Sequence, residues 1–150
     1  MSDIRNNMIN FLDEFITNTK VSSATLITED GLVIASNSEQ NDQEEEVNIN
    51  FAAISASILS MAEKGIEIIN KNKILEQIKI DAGFNNSIEA DFSILITRVF
   101  SNVLIQVIYP KKVNIGLIQF ETSKLINEIK SYFKEKTIRE EVFENLGSLL

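Results

Sequence analysis

The side chains available for covalent or acid–base chemistry are few. The 150-residue chain has no Cys, no His and no Trp. Without thiols there is no disulfide framework, thiol nucleophile or thiolate zinc site. Without imidazole, Ser-His-Asp and Cys-His catalysis are excluded, together with the commonest transition-metal ligand. Carboxylates and a few arginines remain. Asp13-Glu14 and Glu140-Glu141 are adjacent residues on expected helix surfaces and read as solvated. Glu63 and Glu67 stand one helical turn apart beside Lys64, the pattern of a solvent-facing helix surface. Of the three arginines, Arg5, Arg98 and Arg139, only Arg98 falls well inside the expected fold. It is the one candidate for an arginine finger, but its place near a strand end fits pairing with an acidic surface residue better. The expectation is therefore a protein that is not an enzyme, with no catalytic residue, no cofactor and no metal site.

Charge narrows the partners. Fourteen basic residues stand against 22 acidic ones, a net charge of −8. A negative surface repels phosphate backbones, so nucleic acid is not an expected partner. No apolar window approaches the length of a membrane span, so no membrane insertion is expected. The opening Met-Ser-Asp-Ile-Arg lacks the basic and then apolar character of a secretory signal. Those features point to a cytoplasmic domain.

Periodicity supplies the elements. From Asp3 to about Thr19, Ile4, Met8, Phe11, Leu12, Phe15 and Ile16 fall at spacings of three and four, one apolar stripe along a helix that Ser2 or Asp3 can cap. Val21–Thr28 and Leu32–Ser36 read as strands joined by Glu29-Asp30-Gly31. Asp-Gly between two such runs signals a tight hairpin, because glycine tolerates the positive φ required there. Asn37–Asn48, with Asp42, Glu44, Glu45 and Glu46, reads as a solvated loop, and an acidic docking loop is the lesser alternative. Asn48 or Asn50 is then expected to cap a long helix from about Phe51 to Asn70.

On that helix, Ile58, Ala62 and Ile69 lie within about 20° of Phe51 and mark the expected core stripe. Ile54, Met61 and Ile68 widen the apolar arc on one side, and Leu59 and Ile66 widen it on the other. An arc of about half the circumference is broader than a single sheet face requires. Either both flanks pack within the domain, or one of them meets a second copy of the helix. Three strands follow, at Ile74–Asp81, Ala90–Val99 and Val103–Tyr109, in a pattern that suits a meander. The first alternates, with Ile78 and Ile80 on one face, as an edge strand does; the other two are continuously apolar, as strands covered on both faces are. The turns between them fall at Ala82–Ser87 and at Phe100–Asn102. Asn114 opens a last helix bearing Ile118, Leu125, Ile126, Ile129 and Phe133. Its stripe stops around 134–136, where Thr137-Ile138-Arg139-Glu140 fits a capping box for a separate short helix ended by Gly147.

The order helix, strand, strand, helix, strand, strand, strand, helix resembles the roadblock family of dynein light-chain-like, small-GTPase-associated proteins. The likeness rests on the hairpin Ala24–Ser36, the Ala/Ser-rich stretch Phe51–Leu59 and the last helix's start at Asn114–Ile118, and it spans about residues 3 to 134. It implies an α+β fold, a five-stranded antiparallel sheet between helices in the order αββαβββα. The division that follows is a roadblock-like domain at 1–136 and a C-terminal helical extension at 137–150. The resemblance also implies a homodimer with edge strands paired and central helices side by side. Ile54, Met61, Ile68, Ile78 and Ile80 are the candidate dimer-interface residues. By the same resemblance the expected function is a non-enzymatic scaffold that binds a Ras-like small GTPase, and promotion of hydrolysis, assistance of nucleotide exchange and simple tethering all stay open for it. Ile138, Val142, Phe143 and Leu146 form the candidate partner-binding stripe, and packing on the protein's own dimer is the alternative for them. A competing class is a small-ligand sensor of profilin-like or PAS-like type, for which Ser93, Thr97 and Gln106 are the available polar positions. The related longin fold differs in its element order, and the opening helix here argues against it.

Overall fold

The computed structural model describes residues 2–83, 91–100 and 102–149, with side chains described for residues 3–83, 91–100 and 102–137. Helix α1 (Ser2–Thr19) buries Met8, Leu12 and Phe15, the spaced positions of its apolar stripe. It stops where Lys20 turns into the left-handed region at φ 61°, its N–H still donating to Ile16 O at 2.7 Å. That arrangement satisfies an otherwise orphaned terminal carbonyl. Strands β1 (Ser23–Thr28) and β2 (Val33–Ser36) form the expected antiparallel hairpin. Gly31 sits in its turn at φ +87°.

Strands β3 (Gln77–Ala82), β4 (Phe92–Phe100) and β5 (Val103–Pro110) make the meander, and β5 returns beside β1. The sheet order is β2-β1-β5-β4-β3, antiparallel throughout, which places β3 at one edge. Of the expected turn after β3, residues 84–87 lie outside the described residues.

The strand alternation divides the core in two. Leu95, Val99, Ile105 and Val107 face α1 and the last helix, α3 (Ile115–Leu149), where they meet Met8, Leu12, Ile118, Leu125 and Ile129. Ile94, Ile96 and Leu104 face the opposite side, where they meet Ala52 and Leu59 of α2 (Asp42–Ile69). Both faces of β4 and β5 are covered, which explains their unbroken apolar sequence. One helix lies on one face and two on the other.

Three sequence expectations are corrected. First, α2 begins at Asp42, nine residues before Phe51, and its cap is Asn41 rather than Asn48 or Asn50. Asn41 Oδ1 accepts from Glu44 N at 2.8 Å, and Glu44 Oε1 accepts in return from Asn41 Nδ2 at 2.9 Å. The acids at 42, 44 and 45 therefore occupy the first turn, where the helix dipole favours them, instead of a loop. Second, the face of α2 on the sheet is Ala52, Ser55, Ala56 and Leu59, rotated from the expected Phe51–Ile58–Ala62–Ile69 stripe. Third, α3 continues unbroken to Leu149, through Gly147. Thr137 Oγ1 donates to Phe133 O at 2.9 Å, the bond of a residue inside a helix rather than at its cap. The start of α3 is as expected, with Asn114 Oδ1 accepting from Gly116 N at 2.8 Å.

Candidate functional site

Rotation of α2 onto small residues leaves its other apolar flank outward. Ile54 is 50% exposed, Met61 74% and Ile68 87%. Val47, also 50% exposed, extends this row toward the N-terminus, while Phe51 and Ile58 lie between the row and the sheet, partly buried. Together with Gly65 these positions recur at spacings of four and three over nearly six turns: 47, 51, 54, 58, 61, 65, 68. Beside them runs the buried row of Asn48, Ala52, Ser55 and Leu59. A helix with an exposed apolar row beside its buried one fits between two surfaces, one of which is its own sheet.

The candidate interface residues on β3 are placed differently. Ile78 and Ile80 turn to the α2 side and pack against Ile27, Ile94, Ile96 and Leu104 without being fully covered. Gln77, Lys79 and Asp81 alternate with them toward α3. Gln77 Nε2 donates to Gln119 Oε1 at 3.0 Å, and Gln119 Nε2 donates back to Gln77 Oε1 at 2.8 Å. Ser93 donates to Asp81 at 2.5 Å, and Lys79 stands 3.5 Å from the same carboxylate oxygen. The Ser93 hydroxyl first, and the Lys79 ammonium after it, hold the Asp81 carboxyl below its ordinary range. The edge strand is thus fixed from the α3 side and carries its two isoleucines on the α2 side.

Arg98 is tied into the fold. Its Nη1 donates to Glu29 Oε1 at 2.5 Å, its Nη2 to Glu63 Oε1, and its Nε to Leu75 O at 3.0 Å. The side chain is only 10% exposed. It joins the β1–β2 turn, the C-terminal half of α2 and the approach to β3. The expected acidic partner is present twice, and Glu63 belongs to this clamp instead of an open solvent face. The positions proposed for a sensor pocket do not converge. Ser93 and Thr97 are tied to Asp81 and Gln77 on the α3 side of the sheet, whereas Gln106 accepts from Ser55 Oγ at 2.7 Å beneath α2. Asp13 Oδ1 accepts from Ser38 N at 2.7 Å, a tie between α1 and the segment after β2. Among the described residues no His, Cys, Asp and Glu cluster that could hold a metal is found, and no helix is long and apolar enough to cross a membrane. The side chains of Ile138, Val142, Phe143 and Leu146 lie outside the described residues.

The three-layer arrangement matches solved structures. Myxococcus xanthus MglB superposes with a TM-score of 0.70 at 16% identity, over 87% of this chain and 90% of that one. A Roadblock/LC7 domain from Streptomyces avermitilis gives 0.67 at 14% identity, over 83% and 95%. The chain has the roadblock fold. Acanthamoeba castellanii profilin IB is more distant, with a TM-score of 0.51 at 14% identity over 81% and 95%. No protein-family model matches the sequence, and no curated protein does either. At these identities the roadblock likeness carries the architecture, and function has to be argued from the surface.

Sequence reasoning missed Val47, Phe51, Ile58 and Gly65 as parts of one outward row. The alternating spacing of four and three was there to be read. A helix start set at Phe51 left Val47 in a loop, and a core stripe centred on Phe51 absorbed Phe51 and Ile58.

Proposed function

We propose that this chain is a homodimeric scaffold that binds and regulates a Ras-like small GTPase in the cytoplasm and has no catalytic chemistry of its own. The observation that carries the reading is the apolar row of α2 from Val47 to Ile68, of which Val47, Ile54, Met61 and Ile68 stay half or more exposed among the described residues. A soluble domain keeps such a row exposed only at the cost of association with the wrong surfaces, so a specific partner for it is the economical explanation. An edge strand at β3 adds a second self-complementary element on the same side of the molecule. In the homodimer, Ile54, Met61 and Ile68 meet their counterparts across α2, with Ile78 and Ile80 at the junction of the sheets.

The GTPase assignment rests on the resemblance to roadblock proteins together with the roadblock fold. Proteins of this shape act through paired surfaces, which agrees with an Arg98 clamped by two carboxylates and not presented to a phosphate. Ile138, Val142, Phe143 and Leu146, beyond the part of α3 that packs in the core, are proposed as the partner-specific contact. The test is capture of small GTPases loaded with GDP or a GTP analogue on the immobilised full chain, followed by a turnover assay. Binding that differs between the two nucleotide states supports the proposal, and a changed turnover identifies a regulator. No binding to any GTPase of the source organism, with a small metabolite raising the melting temperature instead, would replace it with the sensor reading.

A further inference from the structure

On the face of the sheet opposite α2, helices α1 and α3 lie side by side. Asn7 Nδ2 donates to Tyr132 Oη at 3.3 Å, Phe11 meets the Tyr132 ring edge to face at 6.1 Å, and Glu14 stands near Glu128. Rising numbers on α1 thus meet falling numbers on α3, so the pair is antiparallel. On its outward side the pair leaves a groove of about 670 Å³ that follows α3 from Phe120 to Glu135. Fifteen residues separate those ends, about 22 Å of helix. Phe11 and Tyr132 make an apolar wall, and Phe120 stands in the groove 67% exposed.

The rest of the lining is acidic. Glu128 and Glu135 line the groove, and Glu14 and Glu121 flank Glu128 at the seam of the two helices. Lys124 is the one cation among the lining residues, and it stands in none of the ion pairs found among the described residues. Burial raises the Glu128 carboxyl above its ordinary range, and the charges of Glu14 and Glu121 add to the rise against the opposing Lys124.

We propose that this groove docks a basic amphipathic helix of another protein, with its apolar side on Phe11, Phe120 and Tyr132 and its lysines or arginines on Glu14, Glu121 and Glu128. The proposal is independent of the α2 row. A helix is the fitting shape, because the groove offers an extended segment no strand edge, whereas a third helix fills the space above an antiparallel pair as it does in a bundle. Ser123 and Ser131 line the same stretch and let a backbone come close. Charge selects the partner. A second copy of this chain would set the same carboxylates against themselves across a two-fold axis, and phosphate-bearing surfaces carry the wrong sign. A cation entering the groove relieves the crowding of carboxylates that Lys124 offsets only in part.

The probe is a set of synthetic helical peptides of about 15 residues, with Leu or Phe on one side and Lys or Arg on the other, beside a matched set with Glu at each cationic position. On the isotope-labelled full chain the basic set should shift the amide resonances of Phe11, Glu14, Phe120, Lys124 and Glu128, and the acidic set should not. Phe120→Ala, Glu128→Lys and Glu14→Lys should each weaken binding by about tenfold or more. Glu45→Lys, in the first turn of α2, makes the same change of net charge and should leave binding within about twofold. Circular dichroism should be unchanged in all four, and the exposed Phe120 and Glu14 carry the test should Glu128→Lys unfold the chain. Equal losses in Glu45→Lys and Glu14→Lys would show attraction to net charge alone and overturn the proposal. So would shifts confined to α2, or no binding by any basic peptide. A smaller sedimenting species for Phe120→Glu than for the unsubstituted chain would give the groove to a second copy, and co-sedimentation with phosphatidylserine vesicles that Phe120→Ala abolishes would give it to a lipid surface; either overturns the proposal.

Discussion

Arg98 shows how one residue type can suggest a chemistry that its surroundings rule out. An arginine finger has to be free to reach a transferring phosphoryl group. Here the guanidinium fork already spans Glu29 and Glu63, and Nε is committed to a backbone carbonyl. Arg98→Leu should therefore cost about 2 kcal/mol in urea denaturation, within the range for hydrogen bonds to charged groups and moderated by the partial exposure of both acids. Arg98→Lys should recover only part of it, since an ammonium cannot bridge both carboxylates in one plane. Asp81 offers a pH-dependent counterpart. Its folded pKa is lowered by Ser93, so the carboxylate contributes stability above its ordinary pKa, and that contribution is lost as pH falls through the folded value. Ser93→Ala should move the Asp81 titration up toward 3.8, followed by carboxyl-carbon NMR. The stability gap between Ser93→Ala and the unsubstituted chain should be open at neutral pH and narrow in acid. An unmoved titration would show that Lys79 and Lys111, and not Ser93, set the shift.

Among the elements, α2 is held to the sheet by small side chains and a few polar ties, which makes its seat sensitive to the hairpin turn beneath it. A Cβ on Gly31 would stand 2.8 Å from Ala53 Cα and 3.3 Å from Ala52 O, and the φ of +87° is itself unfavourable for any side chain. Neither obstacle is a flexible side-chain end that can swing away. Gly31→Ala should therefore destabilise by more than about 2 kcal/mol and shift the amide resonances of Ala52 and Ala53 in an NMR spectrum. The turn was legible in the sequence because Asp-Gly reports a local backbone need. The start of α2 was not, because Asp42, Glu44, Glu45 and Glu46 look the same in a solvated loop and in a first helical turn. Only the Asn41–Glu44 exchange distinguishes them. The break expected in α3 failed for a related reason. Thr137 satisfies its hydroxyl on Phe133 O within the helix, and a fading apolar stripe marks the edge of the core without ending the backbone hydrogen bonding.

At the scale of the whole molecule, the fold was readable from element order, and the α2 face only in part. Ile54, Met61 and Ile68 are visible as surplus apolar surface, whereas Val47 joins them only once α2 is known to begin at Asp42. That surplus makes a thermodynamic prediction that requires no knowledge of any other partner. If two copies share the α2 row, unfolding releases two chains, and stability depends on protein concentration. A tenfold rise adds about 1.4 kcal/mol per dimer. With an unfolding enthalpy near 0.7 kcal/mol per residue, the melting temperature should climb by about 2 °C for each tenfold step. Met61→Glu places a charge on a largely exposed position of the row, where it touches little of its own chain. It should abolish the concentration dependence while leaving far-ultraviolet circular dichroism unchanged. Calorimetry over a hundredfold range of concentration checks both statements. A melting temperature independent of concentration in the unsubstituted chain would leave the α2 row for a partner other than a second copy, with the proposed small GTPase the first to try.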